Sequence, residues 1–210
     1  MQIIKVLVVF AVIGLAAGAG FVHSGIYAIG ADEPHWPLTF GLIETLRERS
    51  IAARSRGIEV PPDLGSAERV RRGAGNYDAM CAGCHLKPGV DDSEVRKGLY
   101  PQPPNLAKAA ETHAHEPSDA AAHAARQFWV IKHGIKMTAM PAWSKGGVDE
   151  NTIWDMVALL QDLPALSPED YETLVAASAG HSHSGREEGH DVGREQSPHS
   201  HDHPEHQHVH

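Results

Sequence analysis

The chain holds only two cysteines in 210 residues, Cys81 and Cys84, and no second pair that could complete a zinc site. Strand-like alternation of any length is missing, and with it the βαβ setting of a thioredoxin-type cysteine pair. There is no basic patch. The 18 Lys and Arg stand against 27 Asp and Glu, a formal charge of −9, which argues against nucleic acid as a partner. The imbalance is local: residues 66–164 carry 11 basic and 12 acidic side chains, residues 165–210 carry 2 and 9. Residues 181–210 are almost devoid of apolar side chains but include nine histidines. Such a segment buries too little surface to offset its ordering entropy, so disorder is expected there.

The longest uncharged apolar run is Val6 to Val22, 17 residues. With Ile3, Ile4 and residues 25–29, the apolar span reaches about 20 residues, enough to cross a bilayer. Lys5 and the terminal amine precede it, while Asp32 and Glu33 follow. The positive-inside bias then keeps the start cytoplasmic and exports the rest. A cleaved signal peptide, with Ala17-Gly18-Ala19 as its small-residue site, is the rival reading. The apolar residues that continue past it (Phe21, Val22, Ile26, Tyr27, Ile29) favour an uncleaved anchor over residues 1–30. The expected location is the bacterial inner membrane, with the remainder of the chain facing the periplasm.

Against these absences stands one dense motif, Cys81-Ala82-Gly83-Cys84-His85. Two thiols three positions apart can add to the two vinyl groups of a haem. The adjacent imidazole is then held beneath the ring, where it can coordinate iron, and Cys-x-x-Cys-His is a signature of covalent haem c attachment. A redox-active pair or half of a zinc site are the alternatives. Thioether attachment takes place on the exported side in bacteria, in agreement with the topology above.

Residues 31–65 read as a connector. Pro34-His35-Trp36-Pro37 is a turn or extended segment, and Trp36 an interfacial anchor near the membrane surface. Leu38 to Gly57 has helical spacing, with Leu42, Leu46 and Ala53 near one face and Ile43 beside it. Glu44, Arg47, Glu48, Arg54 and Arg56 are mostly opposite. This helix is either a spacer that holds the domain off the membrane or a docking element for a partner subunit. Residues 66–164 form the expected globular domain. A helix capped by Ser66 runs to about Met80, and residues 89–105 are a Gly- and Pro-rich loop. A second helix runs from Ser118-Asp119 to His133, with Gly134 at its end. After an irregular stretch over 138–147, a last helix starts at Asp149-Glu150 and ends near Asp162, with Ile153, Met156, Val157 and Leu160 as its apolar stripe. Residues 165–210 give one more short helix, about 166–177, and then the His-rich tail. The expected class is all-α, with long loops that only a large buried ligand could organise.

Three further motifs accompany Cys-x-x-Cys-His. Gly73 and Tyr77 precede Cys81 by eight and four residues, Pro103-Pro104-Asn105-Leu106 follows the motif, and Met140-Pro141-Ala142-Trp143 begins 55 residues past His85. Together they resemble the class I c-type cytochromes, single-haem proteins with His/Met ligation. The resemblance implies a class I fold, helices wrapped around one covalent haem. It implies that Gly73 and Tyr77 let the first helix cross the last closely, against Met156 and Leu159 or Leu160; family members often carry an aromatic near position 159. It implies that the Pro104 carbonyl orients His85, although Pro103 stands where the family has glycine. It implies that Met140 is the sixth iron ligand, with Met137 as the competitor and Met80 as a packing residue. Leu86, Leu99, Tyr100, Leu106, Phe128, Ile131 and Trp143 are candidate haem walls. Lys87, Lys132, Lys136 and Lys145 are candidates for a basic rim that steers an acidic partner. His133 reads as a capping or surface residue, and His113, His115 and His123 as solvated.

The function so implied is one-electron transfer between a redox donor and an acceptor, with no enzyme activity of its own. The chain would act as a tethered carrier or as the haem subunit of a respiratory or dehydrogenase complex. The alternative is a periplasmic metal-handling protein, in which His199, His201, His203, His206, His208 and His210 chelate Ni²⁺, Cu²⁺ or Zn²⁺. A haem enzyme or gas sensor with a labile Met140 is a third reading.

Overall fold

The structure, a computed structural model, describes residues 1–108 and 119–182. Among these residues there is no strand, so the chain is all-α. His113, His115, the Ser118 start of the second domain helix and the expected disordered tail with its six alternating histidines lie outside the described residues.

Helix α1 spans Gln2–Ser24 and stops where Gly25 takes a left-handed conformation at φ 64°. It is long and apolar enough to cross a membrane by length and composition, and none of it is buried against the rest of the protein. Helix α2 spans Pro37–Ser55, opened by a proline at the first turn where no N–H is missed. Helix α3, Ala67–Met80, begins with the Ser66 hydroxyl accepting from the Arg69 amide, as its sequence suggests. A single turn, α4, follows over Ala82–His85, and another, α5, over Glu94–Lys97. The turn α5 lies within residues 89–105, whose Gly and Pro content predicts loop. It is stabilised locally, by the Ser93 hydroxyl accepting from the Arg96 amide and by an Asp92–Arg96 ion pair at 3.1 Å. Helix α6 spans Ala120–His133, capped by Asp119, and ends at Gly134. Helix α7, Glu150–Asp162, is capped by Asp149, and α8, Pro168–Ala177, by Ser167.

The core is built where α3 and α6 pack on α7 and α8 packs on α3. Four residues were expected to make the buried stripe of α7. In fact every residue from Thr152 to Leu160 is buried, because neighbours cover the helix on several sides. At the α3–α7 crossing, a Cβ added to Gly73 would lie 2.1 Å from the Asp155 carbonyl oxygen, a distance no side chain tolerates. Tyr77 is buried beside the crossing and meets Tyr171 of α8 edge-to-face at 6.4 Å. Met156 and Leu159 are fully buried there, so leucine at 159 fills a position that packing requires to be apolar.

The same crossing carries a charge cluster built from residues far apart in sequence. The Asp155 carboxylate is buried and accepts from Arg69 at 2.8 Å and from Arg72 at 2.7 Å; Arg69 also pairs with Asp63 at 3.0 Å. A buried carboxylate between two guanidiniums costs little net stability while whole, and its half would be costly.

Helix α2, expected as a spacer or as a docking element, lies on α6. The face it turns to the domain is the charged one. Glu48 receives Arg126 of α6 at 2.6 Å and Arg47 at 2.8 Å, and Ile51 is only 2 % exposed. The leucine face points away.

Candidate haem site

The two cysteines and His85 occupy one turn at the C-terminal end of α3. The helix delivers Cys81, whose amide still bonds to the Tyr77 carbonyl, and α4 continues the turn through Cys84 and His85. Leu86, at φ 66°, then reverses the chain. Neither cysteine is in a disulfide. Other segments tie the turn down. Ser93 Oγ donates to the Gly83 carbonyl at 2.8 Å, the Leu106 amide to the His85 carbonyl at 3.0 Å, and the Tyr77 hydroxyl to the Leu86 carbonyl at 2.7 Å. With its backbone so fixed, the motif presents its side chains in a set direction. Burial, reinforced by Cys84, pushes the Cys81 thiol up to about 12, so the free thiol stays protonated.

His85 Nδ1 lies 3.0 Å from the Pro104 carbonyl oxygen, which fixes Nδ1 as the protonated nitrogen and leaves Nε2 with its lone pair. Burial holds the imidazole below its usual range, partly countered by the Pro104 contact and aided by the nearby Arg96. The neutral ring is the ligating form. Pro103 in place of glycine does not disturb the contact, because its carbonyl accepts from Arg96 Nε at 2.9 Å. Arg96 thus braces the Pro103-Pro104 loop, a role invisible in sequence because it depends on α5 folding back.

Met140 sits half-buried on the second loop, packed against the same apolar core as Cys81, Leu106 and Trp143. The loop is folded tightly on Gly134, at φ 64°, where a Cβ would meet Pro141 at 2.6 Å. The Met140 amide donates to Thr138 Oγ1 at 3.1 Å, and its carbonyl accepts from Ile135 at 3.1 Å. Met137, the competing thioether, is 95 % exposed. Of the candidate walls, Leu86, Phe128 and Ile131 are buried, while Leu99, Tyr100, Leu106 and Trp143 are half-buried. Met80 packs on the core.

A family model described as cytochrome c oxidase, cbb3-type, subunit III, matches residues 68–160. This segment is a c-type cytochrome domain. No curated protein and no solved structure matches the chain. A cytochrome c domain implies covalently bound haem c and haem-based electron transfer. The residues present fit that group: two unpaired thiols, an imidazole with its distal nitrogen free, and a thioether held on the core. Among the described residues, no cluster of three or more His, Cys, Asp or Glu could hold a metal ion, which leaves the zinc alternative without partners there.

Around the cytochrome domain the basic rim is thinner than expected. Lys87 pairs with Glu172 at 2.8 Å and with Asp78 at 3.5 Å, and Lys132 pairs with Glu150. Lys136 and Lys145 remain exposed. His133 is exposed beside Trp129, with ring centroids 5.0 Å apart, and His123 bonds Gln127 at 2.9 Å.

Proposed function

We propose that the chain is a membrane-anchored, single-haem electron carrier, or the haem subunit of a respiratory complex, working on the periplasmic side. Cys81 and Cys84 would hold the haem by thioethers, and His85 and Met140 would take its two axial positions. A haem so held supplies one-electron chemistry between Fe(II) and Fe(III). The chain's residues do the rest. Pro104 fixes the His85 tautomer and strengthens it as a ligand. The soft, neutral Met140 thioether raises the potential. Leu86, Phe128 and Ile131, already buried, would keep water from the ring. With His85 and Met140 both holding it, the haem would offer no place for a substrate, so the chain would pass electrons and transform nothing itself.

The observation that carries this reading is the His85 Nδ1–Pro104 contact on the turn that bears both thiols. Maturation in a bacterial host competent for haem c attachment tests it. Pyridine haemochrome analysis should return one haem per chain, retained through acid–acetone extraction; an extractable or absent haem would refute it. Helix α1, with every residue exposed and its apolar length sufficient for a bilayer, supports the membrane anchor. The cbb3-type subunit III likeness supports a place beside an oxidase. The alternating tail histidines support a second capacity, chelation of Ni²⁺, Cu²⁺ or Zn²⁺. Calorimetric titration with Cu²⁺ should show binding that disappears on deletion of residues 181–210.

A further inference from the structure

Helix α2 is oriented inside out for a helix packed on a folded domain. Its two acids are consumed inward: Glu48 pairs with Arg126 and Arg47, and Glu44 with Arg47 at 3.5 Å. Its leucines face outward. Leu38 is 85 % exposed and Leu42 and Leu46 are each 70 % exposed, at a spacing of four that places them along one stripe. Arg49 is exposed three residues past Leu46, on the same face. An outward stripe of leucines with an arginine and no acid is the pattern of a helix lying in a lipid interface, its apolar side among acyl chains and its guanidinium among phosphates.

The position of this stripe says what covers it. The start of α2 is fixed to the end of α1 by aromatic packing: Trp36 lies 5.9 Å from Phe21 and 4.9 Å from Tyr27, ring centroid to centroid. Tyr27 Oη bonds His35 Nδ1 at 2.9 Å, and the His35 amide donates to Tyr100 Oη at 3.2 Å, which ties the junction to the cytochrome domain. Exposed apolar side chains therefore recur in sequence order on both sides of the junction, Val22, Ile26 and Ile29 before it and Trp36, Leu38, Leu42 and Leu46 after it, with the exposed acids Asp32 and Glu33 between them. We propose that the Leu38–Leu42–Leu46 face of α2 with Arg49 docks into the phospholipid interface of the membrane that α1 crosses, so that the cytochrome domain lies on the bilayer instead of swinging on a tether. This rests on the reading of α1 as a membrane span.

The test uses the full haem-loaded chain in vesicles of phosphatidylcholine and phosphatidylglycerol, with the photo-reactive residue benzoylphenylalanine placed singly at Leu42, at Leu46, at Ile13 in α1, and at the exposed Glu169. Mass spectrometry reads the adducts. The expected result is phospholipid adducts at 13, 42 and 46 and none at 169. Lipid adducts at 13 without any at 42 and 46 would overturn the proposal and leave the anchor standing. Cross-links from 42 or 46 to a second copy of the chain would also overturn it. Absence of lipid at 13 would overturn the anchor and the docking together. A probe at Leu38 in a Leu42→Glu/Leu46→Glu chain should lose its lipid adducts several-fold, with the haem spectrum unchanged; undiminished labelling would count against the stripe.

Discussion

The two segments that carry the candidate haem ligands are built on opposite principles. The histidine side is an extension of a core helix. Gly73 seats α3 on α7, Tyr77 and Ser93 bond to the carbonyls that follow, and His85 is clamped by Pro104. The methionine side is a loop held by Gly134, by the Thr138 and Ser144 hydroxyls, by a few backbone bonds and by the packing of Met140 and Trp143 on the core, with Met140 half-buried and Met137 in solvent. The first arrangement shares the stability of the whole domain. The second can open locally at a fraction of that cost. If the proposed ligation holds, the haem would have a rigidly placed imidazole from His85 and a more loosely held thioether from Met140.

The largest expected break in this comparison comes from removing each ligand in turn. His85→Ala should abolish recovery of the haem-loaded protein. Met140→Ala should keep haem covalently bound but lose the thioether-to-iron band and lower the potential. Visible spectra and redox titration check both, and a Met140→Ala chain with an unchanged spectrum would mean the sixth ligand lies elsewhere. Next in size is Gly73→Val. Its Cβ meets the Asp155 carbonyl, so the α3–α7 crossing must spread, at about 3 kcal/mol or more. Thermal unfolding should show it, with both sides of the site failing in one transition.

Much of the histidine side was legible in sequence because its parts are local. Ser66 caps α3, Gly73 and Tyr77 mark the crossing by spacing, and the attachment pentapeptide fits on one turn. What escaped depends on chain segments far apart. Asp155 reads as one more polar residue on α7 until Arg69 and Arg72, 86 and 83 positions away, are brought to it. Arg96 reads as a loop cation until α5 turns it onto Pro103. The α2 pattern was seen, but periodicity cannot say which face turns inward, and Glu48 with Arg126 decided it against the usual preference. The lysine rim is thinned for a similar reason: Lys87 and Lys132 find acids from α8 and α7, while Lys136 and Lys145 stay exposed.

Two smaller changes sharpen the contrast by loosening only the methionine side. Gly134→Ala introduces a Cβ at φ 64° against Pro141, a local strain of about 1–3 kcal/mol. The thioether band should weaken on mild warming while the Soret band persists. Smallest is Thr138→Val. Its hydroxyl donates to the Ile135 carbonyl at 2.8 Å and accepts from the Met140 amide at 3.1 Å. Losing both bonds at a half-buried position should cost about 1 kcal/mol. Global unfolding of the haem-loaded protein should barely move, because the loop opens before the core does. The temperature at which the thioether band fades should fall by several degrees. If global unfolding and the fading of that band shifted together, the two sides would be one cooperative unit and the contrast drawn between them would be wrong.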